Sequence, residues 1–480
     1  VIRRDFFKNS LVVAGSVLSA GRASAAETQT DESPRSSGLT RHVSEFVVNT
    51  RYEDLPADVL ALGKKSMLDG FGLALAGSAS DMGPLIRQYL KTLGRLDGKS
   101  SIIGTDMKVP AVFAALANGV SIHAHDYDDA GGSGHPTVTV LPPAFALSEM
   151  GHRTGKDLLL AYHTGVEVEC RLAAASSARN DAFHSTSTFG AFGSAAASAK
   201  LSGLNPAQTV YALGIVSTEA AGLRANFGSM TKPLQVGHAA GNGVAAADLA
   251  SLGWTAADDI LESPLGFFKA AGSGFHPETI WNRLGRPWAF ASGFEIKRFP
   301  CGAIQQPVMD EVLRLSAQKN IQARDVEKVE VGGNAGNVTT LFRHRPTTGL
   351  EGKFSMEFAV SILLLDRKAG LNQFTDAVVQ RTEVQDMIRR VTFRVDPDFN
   401  KDGNFSLKLT MKDGTILSTR TGPAKGSPKN PMTYEEVADK FRGCAEFAKW
   451  PTRKAESVIE LVKTLERAAD VTQLTAALTT

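Results

Sequence analysis

Residues 118–149 read NGVSIHAHDYDDAGGSGHPTVTVLPPAFALSE, and the fold turns on how this stretch is understood. An apolar, Ala-rich segment over 110–122 runs into His123, His125, Asp126, Asp128, Asp129 and His135, and a second apolar segment follows. Six imidazoles and carboxylates thus fall within thirteen residues, broken by the glycines of 131–134. Burying such groups costs free energy unless they are paired, liganded or used in chemistry. Two readings stand at this point: a polar loop whose carboxylates face water and cap the next helix, or a reactive site enclosed by helices. Spacing does not choose between them, and the flanking segments must.

Those flanks are helical in pattern. Thr40 can cap a helix through residue 48, and Pro56 opens another to about residue 76. In that second helix Leu60, Lys64, Met67, Phe71 and Leu75 fall near a 3.6-residue period. Residues 81–94 give a further helix, 99–104 a short β-branched piece, and 110–122 a helix buried on most sides. Beyond the opening stretch, 142–150 and 155–174 continue the pattern, and an apolar small-residue helix covers 189–201. Asn205-Pro206 begins the next, to about residue 221. GSMTKP at 228–233 reads as a loop, with Pro233 in the first turn of a helix over 234–252. The small residues of GHAAGNG (237–243) let that helix approach its neighbours closely.

Composition shifts near Arg283. Residues 326–332, 390–395, 405–411 and 415–421 carry strand patterns, with a hairpin turn at 412–414. Helices are expected at 306–318, 355–368 and 375–379, a loop at 423–431, and helices at 434–447 and 455–469. The fold class is therefore mainly α: a large all-helical domain (39–280), an inserted smaller α+β lid domain (281–425), and C-terminal helices (426–480) that rejoin the first domain.

The chain has 480 residues, 43% apolar and 21% charged, which fits two or three globular domains. Cys170, Cys301 and Cys444 are widely spaced, with no CxxC pair, which argues against a zinc ribbon or an all-Cys cluster. Residues 1–25 have the make-up of a twin-arginine export leader: Arg3-Arg4, a mildly apolar run, then Ala23-Ser24-Ala25. Its removal would take Arg3, Arg4, Lys8 and Arg22 against Asp5, changing the formal charge from +2 to −1. A periplasmic protein follows, with no membrane anchor in its mature form and a disordered tether over 26–38. No dinucleotide Gly fingerprint and no basic patch for nucleic acid is evident.

Three polar islands, 125–135, 183–188 and 229–235, sit at the mouths of apolar small-residue helices. His184 precedes four hydroxyls at a helix start, where free N–H groups favour an anion. Lys232, if enclosed, would have a pKa lowered towards the range useful for proton transfer.

Six segments then carry a resemblance: RYEDLPADVLALGKKSMLDGFGLALAG at 51–77, HAHDYDDAGGSGHP at 123–136, FHSTSTFGAFGSAAASAKLSGL at 183–204, MTKPLQVGHAAGNGVAAADLA at 230–250, RFPCGAIQQP at 298–307 and YEEVADKFR at 434–442. In this order they resemble the MmgE/PrpD family of 2-methylcitrate dehydratases, cis-aconitate decarboxylases and iminodisuccinate epimerases. The resemblance implies a cleft between a helical domain and a lid, a homodimer, and neither metal nor organic cofactor. It implies a lyase or isomerase moving a proton next to a carboxylate on a small di- or tricarboxylate. By the same resemblance Asp126, His135, His184 and Lys232 are catalytic, and Ser185, Thr186, Gln235, Gln306 and Cys301 hold substrate. Ala130 stands where family members often have Thr, and Gln306 and Gln235 where His is common. The link before His135 is one residue short. Two rival readings are a metal-dependent hydrolase using His123-x-His125, and a carboxylate-binding protein that has lost catalysis, with Ala130 and Gln306 as its supporting features.

Overall fold

In the computed structural model, residues 37–176, 182–272, 274–399 and 404–480 are described. The expected leader at 1–25 and nearly all of the tether lie outside them. The first half consists of α1 (Leu39–Asn49), α2 (Ala57–Ser78), α3 (Met82–Thr92), β1 (Ser100–Ser101), β2 (Lys108–Val109), α4 (Ala111–His123), α5 (Pro136–Met150), α6 (Gly155–Ala175), α7 (Ser185–Ser202), α8 (Pro206–Ser217) and α9 (Thr231–Ser251). Small side chains explain why α4, α7 and α9 pack so closely. A Cβ on Gly119 of α4 would sit 2.9 Å from the Gly237 Cα of α9, and one on Gly243 would sit 2.4 Å from the Ala195 amide of α7. With no side chains to hold the backbones apart, the helices interlock and their ends are brought together.

The expected helices are present, but the three that bear on the polar islands begin earlier than their sequence pattern indicates. Helix α5 starts at Pro136, with Pro142 and Pro143 inside it, not at 142. Proline at the first helical position has its fixed φ already suited to the turn, and full burial of the segment holds the helix through the later pair. Helix α7 starts at Ser185 and α9 at Thr231, so Lys232 belongs to a helical first turn and not to a loop. Thr40 is no cap: α1 starts after a left-handed Gly38, and the Thr40 hydroxyl donates to Glu262 at 2.5 Å.

The second half adds β3 (Val326–Gly333), β4 (Val391–Val395), β5 (Ser406–Met411) and β6 (Ile416–Arg420), in the sheet order β4-β3-β5-β6. β3 and β4 run parallel, while β5 is antiparallel to both β3 and β6. Helices Gln306–Gln318 and Met356–Asp366 share an apolar cluster with Val329, Val331, Leu407 and Leu409 of the sheet. Helices Tyr434–Phe447, Thr452–Lys463 and Thr472–Leu478 contribute instead to the cluster built on α2, α4 and α5. The fold is mainly helical with small sheets. Among the described residues no helix is long and apolar enough to cross a membrane.

Candidate active site

One cavity of about 340 Å³ brings the three polar islands together. Asp126 and His135 reach it from the segment between α4 and α5, His184, Ser185, Thr186 and Thr188 from the start of α7, and Lys232 from the start of α9. His135 and His184 occupy the position just before the first helical residue of α5 and α7. The N-terminal ends of three helices therefore face one space, and their aligned peptide dipoles favour an anion there. Arg224 adds a guanidinium that donates to Thr340 Oγ1, and Phe227 and Phe354 supply apolar wall.

Asp126 is the electrostatic centre. Its backbone is left-handed at φ 50°, and its Oδ1 accepts from Lys232 Nζ at 2.6 Å and Lys297 Nζ at 3.3 Å. Burial by itself would raise the Asp126 pKa, but the ammoniums of Lys232 and Lys297 hold it well below the usual carboxylate range. Lys232 lies 5.0 Å from the Phe227 ring centre and 5.3 Å from that of Phe354. Burial lowers its pKa and the Asp126 carboxylate opposes that effect.

His135 Nδ1 donates to the Asp129 carbonyl at 2.8 Å, because a carbonyl can only accept. In the neutral ring this leaves a lone pair on Nε2, which lies 3.8 Å from Asp126 Oδ1. Burial brings the His135 pKa down to about 3, with Asp128 opposing. His184 is held well below its ordinary value by burial and by Lys232, and its ring packs 5.0 Å from Phe227. Both imidazoles are thus neutral near pH 7. Behind them His123 Nδ1 meets Asp128 at 2.9 Å, and its ring lies 4.8 Å from that of His135.

The expected residues divide sharply. Asp126, His135, His184, Lys232, Ser185 and Thr186 line the cavity together, whereas Gln235, Gln306 and Cys301 do not. Gln306 is fully buried, where its side-chain oxygen accepts from the Arg298 and Phe299 amides and its Nε2 donates to the Phe299 carbonyl; it shapes a turn. Cys301 is fully buried with its Sγ 3.4 Å from Met309 Sδ, and burial pushes its thiol pKa up. Gln235 donates to the Leu223 carbonyl. The amide and carbonyl of Ala130 pair with those of Glu295 at 2.8 Å each. Ala130 and Gln306, the features that favoured a protein without catalysis, therefore both lie off the cavity wall.

The pair His123-x-His125 does not form a ligand set. His125 points the other way, with its ring 5.3 Å from Phe447. Donor atoms of His123, Asp126, Asp128 and His135 lie within 4.8 Å of one another, but Lys232 and Lys297 already bring two ammoniums to Asp126. A cation placed there would be repelled by both, so the donor set suits a proton-transfer site better than a metal.

Sequence reading missed Lys297, fully buried within FEIKRF, where Glu295 and Arg298 beside it give the segment the look of an ordinary charged surface. It also missed Arg224, Phe227 and Phe354, which carry no local signature. Lys353 is a further buried lysine close to the site, lowered to about 7 by burial, with Asp126 opposing.

The MmgE/PrpD N-terminal domain matches residues 41–280 and the MmgE/PrpD C-terminal domain residues 299–467. A cis-aconitate decarboxylase of Homo sapiens is 31% identical over 91% of this chain and 94% of its own length. One from Aspergillus terreus is 30% identical over 93% of this chain and 97% of its own. A third, from Mus musculus, is 29% identical over 91% of this chain and 92% of its own. The chain belongs to the MmgE/PrpD family and is an enzyme of the lyase class that these decarboxylase relatives represent.

Proposed function

We propose that the protein decarboxylates an unsaturated tricarboxylate of the cis-aconitate type by side-chain proton transfer. The relatives' names supply the substrate class. The observation that carries the reading for this chain is one cavity in which Lys232, Arg224 and three helix starts meet two neutral imidazoles. Carboxylates need such cationic and N–H donors when they leave water.

In the proposed step the bond from the substrate's CH₂ carbon to a carboxylate breaks and CO₂ leaves. The released electron pair forms a new double bond to the central carbon. The pair of the old double bond takes up one proton at the far carbon, which yields a dicarboxylate with its double bond moved. Charge developing on the carboxylate of that far carbon is neutralised by Lys232, an effect strengthened by a water-poor enclosure. Entry of a trianion raises the pKa of the neighbouring imidazoles, so the complex gains the proton it needs. His135, fixed through Nδ1 by the Asp129 carbonyl, delivers it from Nε2, and His184 faces the substrate from the start of α7. Each contributes on the order of 10²–10⁴-fold. Asp126 holds Lys232 in place.

Incubation with cis-aconitate in deuterated water, followed by NMR, tests the reading. The expected product has lost CO₂ and carries one deuterium beside a carboxylate. A hydroxylated tricarboxylate or an epimer formed without CO₂ loss would replace this reading by a dehydratase or an epimerase. Binding seen by calorimetry with no turnover of any di- or tricarboxylate would end the catalytic reading. We further propose homodimer assembly, which sedimentation tests. Export by the twin-arginine route rests on residues 1–25, and an unprocessed Val1 terminus in the native host would refute it.

A further inference from the structure

Three consecutive carbonyls at the heart of the site are each held by a different lysine. Lys353 Nζ donates to the His125 carbonyl at 2.8 Å and to that of Pro300 at 3.2 Å. Lys297 Nζ donates to the Asp126 carbonyl at 2.6 Å. Lys440 Nζ donates to the Tyr127 carbonyl at 2.7 Å and pairs with Asp69 at 2.7 Å. These lysines come from separate parts of the chain: the turn before helix Met356–Asp366, the segment before Arg298, and helix Tyr434–Phe447. None of them lines the cavity.

The residue in the middle, Asp126, has φ 50°. Aspartate tolerates that backbone better than most residues but still adopts it at some cost, which the surrounding hydrogen bonds offset. Lys353 is costly in its own right. It is buried, and its hydrogen bonds go to main-chain carbonyls, with no carboxylate pairing it among the described residues. A buried ammonium of that kind weakens the fold, so a role in holding the site accounts for it better than stability does.

We propose that Lys353 and Lys440, on either side of Lys297, are positioning residues that fix the backbone of 125–127 and so keep the Asp126 carboxylate on the Lys232 ammonium. Neither needs to touch substrate. The same ties join the second half of the chain to the wall of the cavity, because the Lys353 carbonyl also accepts from the amide of cavity-lining Gly302 at 3.1 Å.

The inference rests on the decarboxylase reading for its kinetic consequence, but its structural consequence is read separately. In Lys353→Met, kcat for cis-aconitate falls by about 10²-fold, the scale of a misplaced catalytic group. In an Asp126→Asn background the same substitution costs less than about threefold, because two changes acting through one group do not add. A merely structural lysine would cost the same factor in both backgrounds, and that result overturns the proposal. A crystal structure of Lys353→Met reads the clamp without substrate, with the expectation that Asp126 leaves its left-handed backbone and its carboxylate moves away from Lys232. Retention of φ 50° and of the 2.6 Å contact also overturns it. Absence of turnover in the wild type would defeat the proposed reaction while the crystallographic comparison still decides the clamp. If Lys353→Met does not fold, the double substitution Lys440→Gln with Asp69→Asn applies the same measurements from the other side without stranding a buried carboxylate.

Discussion

Replacing Lys232 by Met separates function from stability, because the structure predicts opposite consequences for the two. The ammonium sits 2.6 Å from Asp126 Oδ1 and lines the cavity where substrate carboxylates must lie. An ammonium 4 Å from a carboxylate is worth about 4 kcal/mol at an effective dielectric constant of about 20. If most of that is realised as charge develops in the transition state, kcat/KM falls by about three orders of magnitude. The fold should lose little. Asp126 keeps the Lys297 ammonium, which donates to its carbonyl at 2.6 Å and its carboxylate at 3.3 Å. The Met side chain enters a slot between Phe227 and Phe354. Removing one partner of a buried ion pair costs about 3–5 kcal/mol when the other charge is left unpaired, and here Lys297 remains beside the Asp126 carboxylate. The assay is the rate of CO₂ release from cis-aconitate, paired with denaturant unfolding of the same preparation. Turnover within about threefold of wild type would refute the role given to Lys232. A loss of more than about 3 kcal/mol in unfolding free energy would show that Lys297 does not satisfy Asp126 alone.

His135→Asn keeps a donor for the Asp129 carbonyl but removes the reactive Nε2, so kcat should fall on the order of 10²–10⁴-fold with an unchanged unfolding midpoint. Gln306→Ala should leave turnover per folded molecule unaltered. It strands the Arg298 and Phe299 amides and should cost about 1–3 kcal/mol in denaturant unfolding. His163 is fully buried with neither ring nitrogen hydrogen-bonded among the described residues, and burial lowers its pKa to about 3. Its neutral form is favoured in the fold, so its contribution is intact above pH 6.5 and lost as pH falls towards 3. Relative to His163→Leu, the wild type should therefore lose about 3 kcal/mol of stability between pH 7 and pH 4, and parallel pH profiles of the two would contradict the sign.

Much of the fold was legible locally. Apolar periodicity over α2, the apolar run of α4, the Asn205 helix start and strand alternation from β3 to β6 depend on near neighbours in the chain, and near neighbours are what a sequence displays. The polar islands were visible for the same reason, as charges in apolar surroundings. Helix starts at Pro136, Ser185 and Thr231 were read late, because polar and proline residues look like loop until burial on every side makes helix the one way to satisfy the backbone.

What the tertiary structure alone decided is which islands meet and which residues merely support them. Lys232 and Asp126 stand 106 residues apart in the chain, and no local rule relates them. They touch because the glycines of α4 and α9 let two backbones close to van der Waals contact, which fixes where the helix ends lie. The same packing turned Gln306 and Cys301 inward, away from the substrate roles that the resemblance implied, and brought Lys297, Lys353 and Lys440 onto consecutive carbonyls. Amino-acid pattern specifies the elements and the chemistry available. Close packing over long sequence separations specifies which of that chemistry shares a cavity.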